Sequence, residues 1–272
     1  MTVITDSFVD AWLKLFGTVP AWMLPEIPKL TFRPTMMPVY ILCGQSNATG
    51  AAPNSGLTEE QSKPVLSVMI FADGTMIDAN IAKRWRPVTV GFGADKTMFG
   101  PELGLAQAMK EAERSALIVK YTAPGTALAD YWCSPTTDGA GPGYVRLLRT
   151  IRDAHLDPVT SYYAGICMMQ GEADACNKEQ AQNYGGNAMH FIHDLREALG
   201  NQATPFVMGK IHTSSFWPYG AEVQAMQDWV WVFAKPSIKL METEDLALQT
   251  TNPHYDSQSE YELGLRFAEA LK

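Results

Sequence analysis

Val39-Tyr-Ile-Leu-Cys-Gly-Gln-Ser-Asn47 runs five apolar residues into a glycine-containing turn that carries a serine. So short an apolar run, closed by Gly44, reads as a buried strand whose following turn presents the Ser46 hydroxyl above the sheet edge. Working outward, further strands are expected near Val68–Phe71, Ala116–Tyr121, Tyr162–Met168, Phe206–Ile211 and Ile238–Met241. Between them, apolar residues three and four apart predict helices over Pro101–Arg114, Tyr144–Ala154, Lys178–Leu199, Ala221–Phe233 and Ser257–Leu271. Strands alternating with helices give a βαβ series, hence a parallel sheet with its chemistry at the carboxyl ends of the strands.

The hydrophobic fraction of 46% and charged fraction of 18% suit a folded domain with a sizeable core. A net charge of −8 argues against nucleic acid, whose backbone is bound by clustered Lys and Arg. The densest basic stretch, Lys83-Arg84-Trp85-Arg86, reads as a solvated loop. Cys43, Cys133, Cys167 and Cys176 lack C-x-x-C spacing, so free thiols are expected rather than a disulfide framework.

Residues 1–37 read as an appendage, with a short amphipathic helix around Asp6–Phe16 followed by Pro20, Pro25, Pro28 and Pro34. Residues 38–272 read as the catalytic domain. Asp6 and Asp10 stand where a secretory signal carries basic residues, and Lys14 and Pro20 interrupt the apolar stretch, so neither a signal peptide nor a membrane span is read. Localisation and oligomeric state stay open.

Ser46 is not on the nucleophile elbow of the α/β-hydrolases, because Ala48 stands where G-x-S-x-G requires glycine. A serine after a strand also suits a helix N-cap, and Pro124-Gly125 also suits an ordinary turn. Gln170 and Glu172 also fit loop residues that bond backbone. His254 lies in Asn252-Pro-His-Tyr255, before a helix whose start carries the capping-box spacing Ser257-x-x-Glu260. His190 and His193, three apart with Asp194 adjacent, imitate a metal site without a convincing third ligand.

Taken together, Gly44-Gln-Ser-Asn47, Gly125-Thr126, Gln170-Gly-Glu-Ala-Asp-Ala175 and His254 resemble the ordered blocks of the SGNH hydrolases. Within that superfamily they are similar to the sialate O-acetylesterase and acetylxylan esterase branch, akin to carbohydrate esterase family 6. The resemblance spans about 39–271 and takes in Phe99-Gly-Pro-Glu102 and Tyr261-Glu-Leu-Gly-Leu-Arg266. It implies a three-layer α/β/α sandwich around a parallel sheet of five or six strands, the flavodoxin-like SGNH fold. It also implies Ser46 as nucleophile, His254 as base, and an oxyanion hole from the Ser46 and Gly125 N–H groups and the Gln170 amide.

An Asp commonly stands three residues before the histidine in SGNH enzymes, whereas this chain has Thr251. Glu172 is the candidate third member, with Asp245 and Glu244 as alternatives, a Ser–His dyad as another, and Asp256 assigned to capping the last helix. Hydrolysis of an acetyl ester on carbohydrate, without metal or cofactor, is the expected reaction. Asn47, Trp132 and the Phe216-Trp-Pro-Tyr219 loop are candidate substrate contacts, with core packing the rival for Trp132. A lipase or thioesterase on longer acyl chains and a non-catalytic acetyl-glycan binder are the competing functions, and neither nucleic acid nor membrane is an expected partner.

Overall fold

Strand β1, Met37–Gly44, is the run on which the sequence reading turned, and Ile41, Leu42 and Cys43 within it are wholly buried. Burial on both faces explains why its apolar residues are continuous instead of alternating. The computed structural model describes residues 36–272 apart from Asp138 and Lys235, so the helix expected at Asp6–Phe16 lies outside the described residues.

After β1 come a one-turn helix α1 (Ser46–Thr49), β2 (Ala52–Pro53), β3 (Val65–Gly74), β4 (Trp85–Val88) and β5 (Met98–Phe99). The chain continues through α2 (Glu102–Glu111), β6 (Ala116–Thr122), α3 (Pro142–Asp153), β7 (Ser161–Met169) and α4 (Lys178–Ala198). It finishes with β8 (Phe206–Gly209), α5 (Gly220–Ala234), β9 (Ile238–Met241) and α6 (Ser257–Ala270). The main sheet has the order β4-β3-β6-β1-β7-β8-β9, while β2 and β5 form a separate antiparallel ladder.

All pairings in the main sheet are parallel except β3 with β4, so six parallel strands carry one antiparallel edge. Helix α2 packs against α6 and α4 against α5, and α3 joins α4 through the edge-to-face pair Tyr144–Phe191. These two helix groups cover the sheet as α/β/α layers. Helix starts follow local chemistry: Pro142 opens α3, and the Asn177 side chain accepts from the Glu179 and Gln180 N–H groups at the start of α4.

Two local expectations are corrected. The basic stretch 83–86 is not wholly a solvated loop, because Trp85 and Arg86 belong to β4, with the Trp85 ring packed at a tilt against Phe71 and its Nε1 donating to the Ala154 carbonyl at 2.9 Å. Pro87 conceals this strand in the sequence, since proline is tolerated only where the ladder ends, as on this edge. The capping box at Ser257 does not form. Asp256 is the N-cap and accepts from Ser259 N at 2.8 Å, while Ser257 Oγ donates to the Pro53 carbonyl at 2.7 Å.

β1 sits between β6 and β7, with Gly44 opposite Thr122 on one side and Met169 on the other. The winding of the sheet reverses at β1, so the chain leaving Gly44 enters the crevice where open α/β sheets bind ligands. Gly44 itself has φ +136°, and a Cβ there would lie 2.0 Å from the Met169 carbonyl oxygen, so only glycine allows this exit.

A buried ion pair lies within the layers. Lys120, in the middle of β6, is wholly buried and donates to Thr49 O at 2.7 Å, Phe92 O at 2.9 Å and Glu102 Oε2 at 2.6 Å. Three N–H groups thus meet three acceptors, which satisfies the buried ammonium completely. Glu102, also wholly buried, accepts from Gly100 N at 2.9 Å through its other oxygen. Because Thr49 ends α1, the cluster braces the turn that carries Ser46.

Candidate active site

Ser46 is the first residue of α1 and is half-buried, while Gln45 and Asn47 on either side are buried and tied to the loop after β7. The Gln45 Oε1 accepts from Ala173 N at 3.1 Å, and Asn47 Nδ2 donates to Glu172 Oε1 at 2.7 Å. These two anchors fix the backbone on either side of Ser46. Its Oγ is committed to no hydrogen bond among the described residues. The Ser46 and Gly125 backbone N–H groups are likewise unclaimed among the described residues, as an oxyanion hole requires. Gly125 is exposed, with φ +68° and nothing within 4 Å of a would-be Cβ.

The loop bearing Gly125 follows β6 and is positioned by Asp174, which accepts from Leu128 N at 2.8 Å and Ala129 N at 3.1 Å. Burial raises the Asp174 carboxyl to about 6. Its Oδ2 also takes the Gln170 Nε2 at 2.6 Å. Gln170 is wholly buried and its amide is given to Asp174 and to Thr126 O at 3.2 Å, so it organises the loop and is not presented to a reacting carbonyl. Asp174 is the residue that sequence reasoning passed over, although it stands inside the quoted block Gln170–Ala175.

Trp132 and Asn47 are also placed otherwise than as substrate contacts. Trp132 is wholly buried against Tyr121, Tyr131 and Phe191, with ring centroids 5.6 to 6.3 Å away, and its Nε1 holds Thr126 Oγ1 at 2.8 Å. Asn47 is buried and committed to Glu172. In the 216–219 loop, Trp217 is buried while Phe216 is 59% exposed. That loop is tied to the Glu172 segment by Tyr219 N donating to Ala175 O at 2.9 Å.

His254 is half-buried on the loop before α6. That loop is fastened to the chain just beyond α1, where Gln249 Nε2 donates to Ala51 O at 3.0 Å. Burial, with no charge partner, holds the imidazole below its ordinary value of 6.5. A base whose pKa is lowered stays neutral further into acid, so the acid limb of kcat/KM is expected to have its midpoint below pH 6.5. Asp174, raised to about 6, also protonates on the acid side, and a pH profile of Asp174→Asn separates the two: a limb that persists belongs to His254.

None of the carboxylates considered behind His254 hydrogen-bonds its imidazole. Glu172 is buried and bonded to Asn47, and burial raises its pKa. Asp245 is held by Arg266 at 2.7 and 2.6 Å, and Glu244 binds Thr213 and Gln224. The atom against His254 Nδ1 is instead Asn252 Oδ1, at 3.0 Å. His193, Asp194 and Glu197 bring ligand atoms within 4.8 Å of one another on α4, but Asp194 is already engaged by Thr136 N and Oγ1, and His190 faces Thr136.

Among the described residues no helix is long and apolar enough to cross a membrane. Comparison with known proteins places this geometry in context. A probable carbohydrate esterase of Arabidopsis thaliana is 20% identical over 247 residues, covering 85% of this chain and 89% of the relative. The crystal structure of that Arabidopsis protein superposes with a TM-score of 0.70 at 20% identity, over 87% of this chain and 98% of its own. The crystal structure of NanS gives 0.66 at 16% identity over 87% and 97% of the two chains. A carbohydrate acetylesterase from Xanthomonas citri gives 0.63 at 15% identity, over 85% of this chain and 55% of that one. The family described as carbohydrate esterase, sialic acid-specific acetylesterase, matches residues 36–272. With a match over that length, the chain belongs to the sialic acid-specific acetylesterase family of carbohydrate esterases and is a carboxylic ester hydrolase.

Proposed function

We propose that the protein is a serine acetylesterase that removes acetyl groups from carbohydrate hydroxyls, with Ser46 as nucleophile and His254 as general base. The observation that carries this reading is that Ser46, half-buried between two anchored neighbours after the central strand β1, has an Oγ committed to no hydrogen bond among the described residues, while its own N–H and that of Gly125 are likewise unclaimed there.

In the first half-reaction Ser46 Oγ attacks the acetyl carbonyl while His254 Nε2 takes its proton. The negative charge that develops on the carbonyl oxygen is received by the Ser46 and Gly125 N–H groups, which need no reorientation. As the tetrahedral species collapses, the imidazolium gives that proton to the departing sugar oxygen, leaving acetyl-Ser46. Water, deprotonated by the same imidazole, then attacks the acetyl group, and its proton returns to Ser46 as acetate leaves. Glu172 serves by holding Asn47, and Asp174 by holding the Gly125 loop.

Phe216, exposed beside the Glu172 segment, is the aromatic face offered to a sugar ring. The family's described specificity makes O-acetylated sialic acid the first carbohydrate to assay. A fluorophosphonate probe is expected to label wild-type protein at Ser46, and p-nitrophenyl acetate to be hydrolysed with a kcat/KM at least roughly tenfold that of the octanoate. Absence of labelling in folded protein defeats the serine mechanism, and preference for octanoate replaces the acetylesterase with a long-chain esterase.

A further inference from the structure

The position behind the catalytic imidazole, filled by Asp in the commoner arrangement, is occupied here by an amide whose orientation can be read from the backbone. Asn252 Oδ1 lies 3.0 Å from the His254 backbone N and 3.0 Å from His254 Nδ1. A backbone N–H can only donate, so the Asn252 atom facing it is the oxygen. That same oxygen then requires a hydrogen on Nδ1, which leaves the lone pair on Nε2, the nitrogen a base uses toward Ser46.

The other end of the chain of bonds is equally constrained. Gln249 Nε2 donates to two carbonyls, Ala51 O and Tyr255 O, each at 3.0 Å. Carbonyls only accept, so Gln249 turns its Oε1 toward Asn252, and Asn252 Nδ2 donates to it at 2.8 Å. Gln249 N also donates to His254 O at 2.8 Å, closing the loop on itself. The side-chain links of this relay all donate in one direction, from the imidazole Nδ1–H through Asn252 and Gln249 to the backbone carbonyls.

We propose that Asn252, held by Gln249, is the positioning residue of a Ser46–His254–Asn252 arrangement, in which a neutral amide selects the Nδ1–H tautomer and aims Nε2 without supplying charge. The inference rests on the Ser46 and His254 reading above. Thr251 then needs no carboxylate substitute, and Glu172 is free for its bond to Asn47. Because the acceptor is neutral, the proton taken from Ser46 stays on His254 until the leaving oxygen collects it, and Asn252 exchanges no proton at any step. Burial is what holds the imidazole below its ordinary value.

Two variants test the proposal, with Ser46→Ala and His254→Ala as references. Asn252→Ala is expected to lower kcat on the order of 10²-fold with KM within about twofold of wild type, because a misaimed base costs that much while substrate contacts stay. Asn252→Asp keeps the acceptor and adds charge. It is expected to restore kcat to within about tenfold of wild type and to move the acid limb of kcat/KM upward, as a carboxylate stabilises imidazolium. If Asn252→Ala keeps kcat, or if Asn252→Asp fails to rescue and leaves the limb unmoved, the positioning role is overturned while an inactive Ser46→Ala keeps the site. If Ser46→Ala or His254→Ala retains wild-type activity, the site assignment itself falls. Should the alanine variant not fold, the shifted limb of Asn252→Asp still decides.

Discussion

Ser46→Ala is expected to fold as the parent does and to hydrolyse acetyl esters on the order of 10⁶-fold more slowly. A change of that size corresponds to about 8 kcal/mol of transition-state stabilisation. Loss of packing cannot account for it, because Ser46 is half-buried and its Oγ holds nothing among the described residues. A melting temperature within about 2 °C of wild type is the matching structural expectation. What remains in the variant is the pair of N–H groups at Ser46 and Gly125, which polarise a carbonyl but cannot form the acyl-enzyme. Steady-state kinetics beside a thermal melt check both halves, and a variant within tenfold of wild type places the nucleophile elsewhere.

Lys120→Met is expected to destabilise the protein by about 3–5 kcal/mol, read from the denaturant midpoint. The loss comes less from the missing attraction than from what is left behind: a wholly buried Glu102 carboxylate with no cation, and the Thr49 and Phe92 carbonyls without their donor. Burial and the Glu102 carboxylate already push the neighbouring Glu260 carboxyl well up, so it stays neutral and supplies no cation in place of Lys120. Pairing Lys120→Met with Glu102→Gln removes the stranded charge, and recovery of part of the stability is the expected result. Since Thr49 closes α1, kcat should fall in whatever fraction of Lys120→Met remains folded. A loss under about 1 kcal/mol shows that the carboxylate finds solvent.

The strand–turn unit that carries Ser46 was readable in one dimension. A strand that is apolar throughout and ends in glycine has few other uses, and Ser46 inherits its position from that strand alone. Trp132 and Gln170 show the opposite case. Both lie in loops that follow strands flanking β1, yet each is wholly buried, because side-chain direction beyond a strand depends on how the loop turns. Phe99-Gly-Pro-Glu102, part of the family resemblance, also supplies Glu102 as half of a buried ion pair, whose other half, Lys120, lies in the otherwise apolar strand β6.

The sequence by itself determined the alternation of strands and helices and the place of Ser46 in the turn directly after a buried strand, since hydrophobic periodicity and local turn chemistry act over neighbouring residues. Only the tertiary structure decided what stands behind His254, what Glu172 and Asp174 hold, and which loop aromatic reaches the surface. Those outcomes depend on which hydrogen-bond partners the folded chain brings within 3 Å, and no spacing along the chain encodes that choice.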